Sequence, residues 1–385
     1  MGPERGELRP ESHEVTVSAH DSPIRRSVEV EYWVIDETGA LTTPGSLVDA
    51  SPGAEREFVE PLLEIKTTPC ETTRELRREL HERVTAVLEQ ADEVGKRLVP
   101  LATPVHAEEI TELPSDRTRV QNRVVGSDFA YVRHCAGTHV HVEQQPDCVV
   151  DQHNAFVALD PALALVNSSP YFRGQRLAAG ARSKLYRWMA YDDLPHQGRL
   201  WPYVDDREEY TRRLERRYED FETAAIDAGV DRRAVAEHFD PESAVWTPVQ
   251  FREAFSTVEW RSPDTALPSD VVRLADRLAA LVARLDAATV RIDGDRGRTG
   301  RDEIVLPEFD AVIGYVNDAI RDGLDSSSVR AYLARMGFDI DAYDPVAHEI
   351  DGRATVSTAE ARAIRLEHAD RLATDVRRVG PLTGD

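Results

Sequence analysis

The sequence predicts an α+β fold in which helices cover a mostly antiparallel sheet. Two observations lead there. Segments with the period-two alternation of strands dominate the first half without a regular strand–helix–strand repeat, and segments with helical periodicity dominate the end. With 385 residues, 41% of them hydrophobic, the chain can bury a substantial core. No internal repeat or low-complexity linker divides it. One catalytic domain is therefore expected over residues 24–385, sheet-rich over 24–268 and helical over 269–385, behind a polar flexible tail over 1–23.

Taken in order, residues 28–36 place β-branched and aromatic side chains in period two, and Glu37-Thr38-Gly39 supplies a closing turn. An apolar stretch over 61–67 stops at Pro69. Thr72-x-x-Glu75 has the spacing of a capping box, in which each side chain satisfies a backbone N–H of the other. Leu76, Leu80, Val84, Val87, Leu88, Val94 and Leu98 then give the buried stripe of a helix. Residues 98–105 read as a strand interrupted by Pro100 and Pro104, and 138–143 as a cleanly alternating strand. Asp151 reads as the N-cap of a helix running to about residue 166. Residues 206–228 form a strongly charged helix with a solvated face, and 256–261 a short strand. Further helices begin near Ser269, Glu308, Ser326 and Ser357.

Charge narrows the function. Seventy acidic against 47 basic residues give a formal net charge of -23, which disfavours nucleic-acid phosphate as a partner. Lysine occurs only at Lys66, Lys96 and Lys184. Such a balance fits a halophilic, salt-rich cytoplasm, where a charged and hydrated surface keeps proteins soluble; a GC-rich genome favouring arginine codons is the alternative. Cys70, Cys135 and Cys148 are odd in number and form no CxxC, which fits a reducing compartment. No apolar run approaches the ~20 residues that span a bilayer, and the opening MGPERGELRPESHE has no apolar signal core. A cytoplasmic protein with small-molecule partners, no membrane and a possible homo-oligomeric state is expected.

Four strand segments carry the chemistry. Glu29 and Glu31 share a strand face, with Val28, Val30, Tyr32 and Val34 on the other. A divalent cation would offset the repulsion of the two acids; a hydrated sheet face is the alternative. Glu64 sits inside the apolar run LLEIK, where an unpaired carboxylate is rare, and Glu57 precedes it within reach of the same ion. Pairing of Glu64 with Lys66 or an arginine is the alternative. His139, His141 and Glu143 share a face in THVHVE, and imidazoles are good metal ligands, although no HExxH or cysteine partner accompanies them. Glu259 and Arg261 share a face in TVEWR, so an acid for a metal lies beside a guanidinium for an anion; a cross-strand ion pair is the alternative. Between these lies Asn167-Ser168-Ser169-Pro170, followed by Arg173, Arg176, Arg182 and Lys184, a basic patch suited to phosphate or a substrate carboxylate. No P-loop, no GxGxxG after a strand and no GxSxG elbow occurs, so a nucleotide would be held through metal ions and arginines.

Together these segments resemble the glutamate–cysteine ligase type 2, or carboxylate–amine ligase, family. SVEVEYWVID resembles its GVEEE-type first strand and FVEPLLEIKTTPC its second acidic strand. CAGTHVHVEQ resembles its Gly-x-His-x-His strand, ALALVNSSPYFRGQRLAAGARSKLYRW its NSPxxxG segment, and TVEWRSPD its final Glu-x-Arg strand. The five appear in the family's order over residues 27–264. The resemblance implies a glutamine-synthetase-like curved, mostly antiparallel sheet forming a funnel. It implies ATP, and Mg2+ or Mn2+, with Glu29, Glu31, Glu57, Glu64, His139 and Glu259 as metal ligands. It makes Glu259 and Arg261 catalytic, with Arg261 on the ATP phosphates or the transferring phosphoryl group. Arg182 and Lys184 are expected at the nucleotide, and Arg182, His141 and Asn167 at the substrate. The implied reaction joins glutamate to cysteine through an acyl phosphate to give γ-glutamylcysteine, as in glutathione biosynthesis.

Departures from the family pattern are Ser27 for its glycine, Val30 for its central glutamate, Glu143 for the glycine after HVHV, and NSSP for NSP. Val30 belongs to the core face, which leaves the Glu29–Glu31 pair in place. Three further readings stand beside the main one: a paralogue with another acid or amine, a metal-dependent hydrolase using His139, His141 and the glutamates around a bound water, and a non-catalytic relative that binds nucleotide or an amino acid.

Overall fold

Twelve strands and the helices between them are seen in the computed structural model, which describes residues 23–379. The expected tail over 1–23 lies, except for Pro23, outside the described residues. The strands are β1 (Arg26–Asp36), β2 (Ala54–Arg56), β3 (Leu62–Lys66), β4 (Lys96–Val99), β5 (Thr138–Glu143), the small hairpin β6 (Tyr171–Phe172) and β7 (Gln175–Arg176), then β8 (Val249–Arg252), β9 (Thr257–Trp260), β10 (Thr289–Ile292), β11 (Arg298–Thr299) and β12 (Glu303–Leu306). The main sheet runs β2-β3-β1-β5-β9-β8, with β4 pairing the far end of β1. Every pairing in it is antiparallel. Between named strands among the described residues, only β10 and β12 pair in parallel.

β1 organises the sheet because its alternation is strict. Val28, Val30, Tyr32 and Val34 are fully buried on one face. Against that face pack the helix Thr73–Glu93, through Leu76, Leu80, Val84 and Val87, and the helix Pro268–Leu285, through Val271, Leu274, Leu278 and Leu281. This single core reaches from Val28 to Val376 and so includes both the sheet and the C-terminal helices. The Thr72 capping box forms as expected: Thr72 Oγ1 accepts from Glu75 N at 3.1 Å, and Glu75 Oε2 accepts from Thr72 N at 3.2 Å.

Several element limits differ from the sequence reading, each for a local reason. The first helix ends at Glu93, where Gly95 turns at φ +66°; Val94 is therefore exposed, and Leu98 reaches the same core from β4. β4 stops at Val99 because Pro100 has no N–H to continue the ladder. The 3-10 turn Pro146–Cys148 leads directly into the helix Val149–Leu159, so Cys148 is its N-cap and Asp151 lies in its first turn. That helix tightens into the 3-10 segment Asp160–Val166 at Pro161. The helix Asp116–Val125, strand β8 and the three-stranded sheet β10-β12-β11 were not singled out from sequence. The charged helix Arg207–Asp227 is capped by Asp206 and buries Tyr210, Leu214, Phe221 and Ala225. All three cysteines carry free thiols. No helix among the described residues is long and apolar enough to cross a membrane.

Candidate active site

Antiparallel register carries the acids to one place. Residues directly opposite each other across an antiparallel pair project to the same side of the sheet. Glu29 faces Lys66 on β3 and His139 on β5, Glu31 faces Glu64, and His141 faces Glu259 on β9. The side away from the helical core thus becomes acidic. It floors a cavity of about 540 Å³ lined by Glu29, Glu31, Glu57, Glu64, His139, His141, Glu259 and Arg261. Glu57 joins from the turn between β2 and β3. Walls of Phe58, Phe129, Tyr186, Tyr191 and Trp246 enclose the opposite side, and Tyr186 stacks on Trp246 at 4.5 Å between ring centroids.

The contacts are close. Glu29 Oε2 accepts from His139 Nδ1 at 3.1 Å, and the same nitrogen stands 3.3 Å from Glu259 Oε1. His141 Nδ1 lies 3.0 Å from Thr257 Oγ1. Its buried Nε2 makes no hydrogen bond among the described residues and stands 3.7 Å from Glu29 Oε1 and 3.6 Å from Glu259 Oε1. Lys66 Nζ reaches Glu64 Oε2 at 2.8 Å and Glu55 Oε2 at 3.1 Å. Arg261 Nε is 3.3 Å from Glu259 Oε1, and Arg261 Nη1 donates to Gln250 Oε1 at 3.2 Å. Three sets of ligand atoms lie within 4.8 Å of one another: Glu29, Glu64 and His139; Glu29, His141 and Glu259; and Glu31, Glu57 and Glu64.

Charge is unevenly balanced across this floor. Burial pushes the Glu31 carboxyl up to about 7, against the pull of Arg182 and with the help of Glu64. Burial and then Glu31 push Glu57 up to about 8. Glu64 is held well above the carboxylate range by burial, Glu57 and Glu29, despite Lys66. On the other side burial also opposes ionisation, but the hydrogen bond to His139 and the proximity of His141 hold Glu29 below its usual value. Glu259 is likewise held down, against burial, by Arg261, both histidines and Arg252. Lys66 and Arg182 thus supply too little positive charge to offset the burial of the Glu31–Glu57–Glu64 set, whereas the Glu29–Glu259 set is held ionised by its histidines and arginines. Hard carboxylate oxygens with an imidazole nitrogen suit Mg2+ or Mn2+ better than zinc. A divalent cation would supply the missing charge, so these residues fit such an ion.

Not every expected residue reaches the cavity. The short helix Ala181–Lys184 sends residues 182 and 184 to different sides. Arg182 is buried beneath the floor, where its Nη1 donates to the carbonyls of Arg261 at 3.2 Å and Ser262 at 3.1 Å. Lys184 Nζ donates to Leu177 O at 3.1 Å and lines a separate hollow with Trp188 and Arg321. Asn167 is buried and donates from Nδ2 to Ala319 O at 3.2 Å. The basic patch is dispersed further by Arg176, which pairs with Asp351 at 2.6 Å. Glu143 pairs with Arg25 at the strand end and does not line the cavity.

Residues the sequence reading missed include Arg252, Gln250 and Gly137. Arg252 Nη1 donates to Glu259 Oε2 at 3.4 Å. The alternation in VQFR, which sets Gln250 and Arg252 on one face, was a signal that could have found both. Gly137 N donates to Glu31 Oε2 at 2.6 Å. A Cβ on Gly137 would stand 2.2 Å from Arg182 Nη2, so only glycine lets that guanidinium lie against the backbone.

Comparison with known proteins bears on the family and the fold. Residues 11–336 match the model of a family described as glutamate-cysteine ligase family 2. A protein named "Putative glutamate--cysteine ligase 2-2" from Saccharopolyspora erythraea is 25% identical over 408 residues, covering 97% of this chain and 86% of that one. A shorter match, 28% identical over 164 residues and 40% of this chain, is to "Putative glutamate--cysteine ligase 2-1" of Paenarthrobacter aurescens and spans 41% of that relative. Among solved structures, a bifunctional glutathione synthetase from Pasteurella multocida superposes with a TM-score of 0.53 at 15% identity, over 94% of this chain and about half (51%) of that one. A glutamate–cysteine ligase from Francisella tularensis, solved in complex with AMP, gives a TM-score of 0.50 at 14% identity, over 92% of this chain and 93% of that one. These two likenesses bear on the fold, which is that of the glutamine-synthetase-like ligases.

Proposed function

The chain belongs to the glutamate-cysteine ligase family 2, and from that premise we propose that it is an ATP- and Mg2+-dependent carboxylate–amine ligase that joins glutamate to cysteine. One observation carries the reading: three carboxylate-rich ligand sets converge on one sheet face beside Arg261. The proposed catalytic unit spans residues 24–385, because one core includes the sheet and the C-terminal helices.

A carboxylate resists attack by an amine until one of its oxygens becomes a leaving group. In the proposed reaction a glutamate carboxylate oxygen attacks the γ-phosphorus of ATP, ADP departs, and an acyl phosphate results. The amine of cysteine then attacks the acyl carbon, the carbon–oxygen bond to phosphate breaks, and the amine loses a proton. Bound Mg2+ supplies neutralisation of the triphosphate and of the charge that develops during phosphoryl transfer. The residues proposed to hold it are Glu29, Glu31, Glu57, Glu64, His139 and Glu259. Arg261, fixed by Glu259 and Gln250, is aimed at phosphoryl oxygens, and Arg252 helps to hold Glu259 through its own hydrogen bond to Oε2. His141 Nε2 faces the space between Glu29 and Glu259, which suits it to contact substrate or metal. Arg182 acts from below by holding the Arg261 and Ser262 carbonyls.

The test is an omission series at high salt with purified protein, ATP, Mg2+, glutamate and cysteine. ADP should form only when all four small molecules are present, together with γ-glutamylcysteine by mass. ADP that requires a different amine keeps the ligase class and changes the substrate. Substrate hydrolysis without ATP would replace the reading with a metal-dependent hydrolase.

A further inference from the structure

Phe255 is the most exposed large apolar side chain among the described residues, at 60%, and alone among the exposed ones it lines the acidic cavity. A single exposed phenylalanine is ordinary. Its surroundings here are not. The ring sits on the turn Glu253–Phe255, which joins β8 to β9 at the edge of the sheet. Ser256 closes that turn in the left-handed region at φ 52°, a conformation that needs support in a residue other than glycine. The support is visible. Ser256 N donates to Glu253 O at 3.2 Å, and Gln144 N donates to Ser256 O at 2.9 Å. Arg207 donates to Gln144 Oε1 at 2.9 Å and also pairs with Glu253. The aromatic face is therefore presented to water by a braced backbone.

Its position relative to the acids is equally specific. The ring meets His141 edge-on, with centroids 5.9 Å apart, so it touches the Glu29–His141–Glu259 set through its histidine. The Arg252 guanidinium lies 5.7 Å from the ring centroid, and its buried Nε makes no hydrogen bond among the described residues. Glu242 Oε2 stands 3.5 Å from that Nε and also lines the cavity. A π face, a guanidinium donor and a carboxylate acceptor thus lie together beside the proposed phosphate site. A purine base offers the complementary set: a flat ring to stack, ring nitrogens that accept and an exocyclic amino group that donates.

We propose that Phe255 is the stacking platform for the purine of ATP, with Arg252 and Glu242 facing the edge of the base and the triphosphate running inward past His141. This rests on the ATP-dependent ligase reading. The test is calorimetric titration of wild type, Phe255→Ala and Phe255→Trp with ATP and with inorganic tripolyphosphate, each in Mg2+. Wild type binds ATP more tightly than tripolyphosphate. Phe255→Ala loses about tenfold in ATP affinity, at the lower end of what one base–aromatic stack contributes, and keeps its tripolyphosphate affinity; Phe255→Trp restores ATP binding. Equal ATP affinity in wild type and Phe255→Ala overturns the platform while the ligase reading stands. Parallel loss of both ligands in Phe255→Ala also overturns it, because the turn would then be shaping the phosphate site. A wild type that binds neither ligand overturns the ligase reading and the platform with it.

Discussion

Glu29 and His139 are direct partners across β1 and β5, and that register brings Glu29 Oε2 to 3.1 Å from His139 Nδ1. The same logic, repeated at Glu31 with Glu64 and at His141 with Glu259, turns three strand pairings into one acidic floor. A slip of one residue would send every one of these side chains into the helical core. The sheet's hydrophobic face therefore fixes the site's geometry as well as its own packing.

Removing a single floor carboxylate should abolish turnover without unfolding the protein. Glu64→Gln and Glu259→Gln each keep the side chain's volume and remove its charge. Both should lower Mg2+-dependent ADP formation by at least about a hundredfold, since even outer-shell partners of a metal are worth 10–100-fold. Melting curves should show a folded protein in both. Full activity in both variants would sink the metal assignment.

The acids of the Glu31–Glu57–Glu64 set should make stability depend on pH and metal together. Burial raises Glu31 to about 7 and Glu57 to about 8, above their unfolded values near 4.5. The metal-free folded form thus binds protons more tightly than the unfolded chain. Its stability is fullest below about pH 4.5 with respect to these groups and falls as pH rises through 7 and 8. Glu29 and Glu259 are shifted down, so their contribution is lost only as pH falls below the unfolded value. Melting temperatures in chelator should therefore drop between pH 5 and 8, and added Mg2+ should recover more at pH 8 than at pH 5. An equal Mg2+ effect at both pH values would contradict this.

How much of this was legible in the sequence depended on the element. Strands declare their faces by alternation, which pairs Glu29 with Glu31, His139 with His141, and Glu259 with Arg261; the family resemblance joins the three pairs into one site, and all six line the cavity. Arg182, Lys184 and Asn167, also expected at the site, do not line the cavity. They sit around a four-residue helix and a turn, where no period indicates direction. Phe129 and Tyr186 reach the wall from the five-residue helices Phe129–Arg133 and Leu185–Met189, too short for a period to show, and Trp246 from a loop; only tertiary packing brings them together. Val94 illustrates the opposite error, a helical period carried one residue past its helix into a glycine turn.

Arginines at the site should separate from cations outside it. Arg261→Ala should lower kcat by about 10²–10³, the loss typical of one preorganised donor to a developing anion. Lys184→Ala should leave ATP affinity and kcat within about twofold, because its Nζ is bonded to Leu177 O away from the cavity. Steady-state kinetics on both variants checks the contrast, and a Lys184→Ala variant that loses ATP binding would contradict it.

Gly137 should tolerate no side chain. A Cβ there would meet Arg182 Nη2 at 2.2 Å, and Arg182 holds the Arg261 and Ser262 carbonyls. Gly137→Ala should cost about 1–3 kcal/mol of stability, as overpacking of a filled interior does, and should reduce kcat through displaced Arg261. Gly126→Ala is the comparison for crowding, since none of the described residues lies within 4 Å of its added Cβ, although its φ of +68° leaves backbone strain. Denaturant titration reads the stability cost of each variant, and steady-state kinetics should show no loss of turnover in the folded Gly126→Ala protein, in contrast to Gly137→Ala.

The central claim is that the acidic cavity activates a carboxylate by transferring to it the γ-phosphoryl group of ATP. Glutamate labelled with 18O in its side-chain carboxylate tests this most directly, with the released phosphate analysed by mass spectrometry after a complete reaction with ATP, Mg2+ and cysteine. Passage through an acyl phosphate predicts one 18O atom in each phosphate released. Phosphate free of 18O, with product still formed, would contradict it.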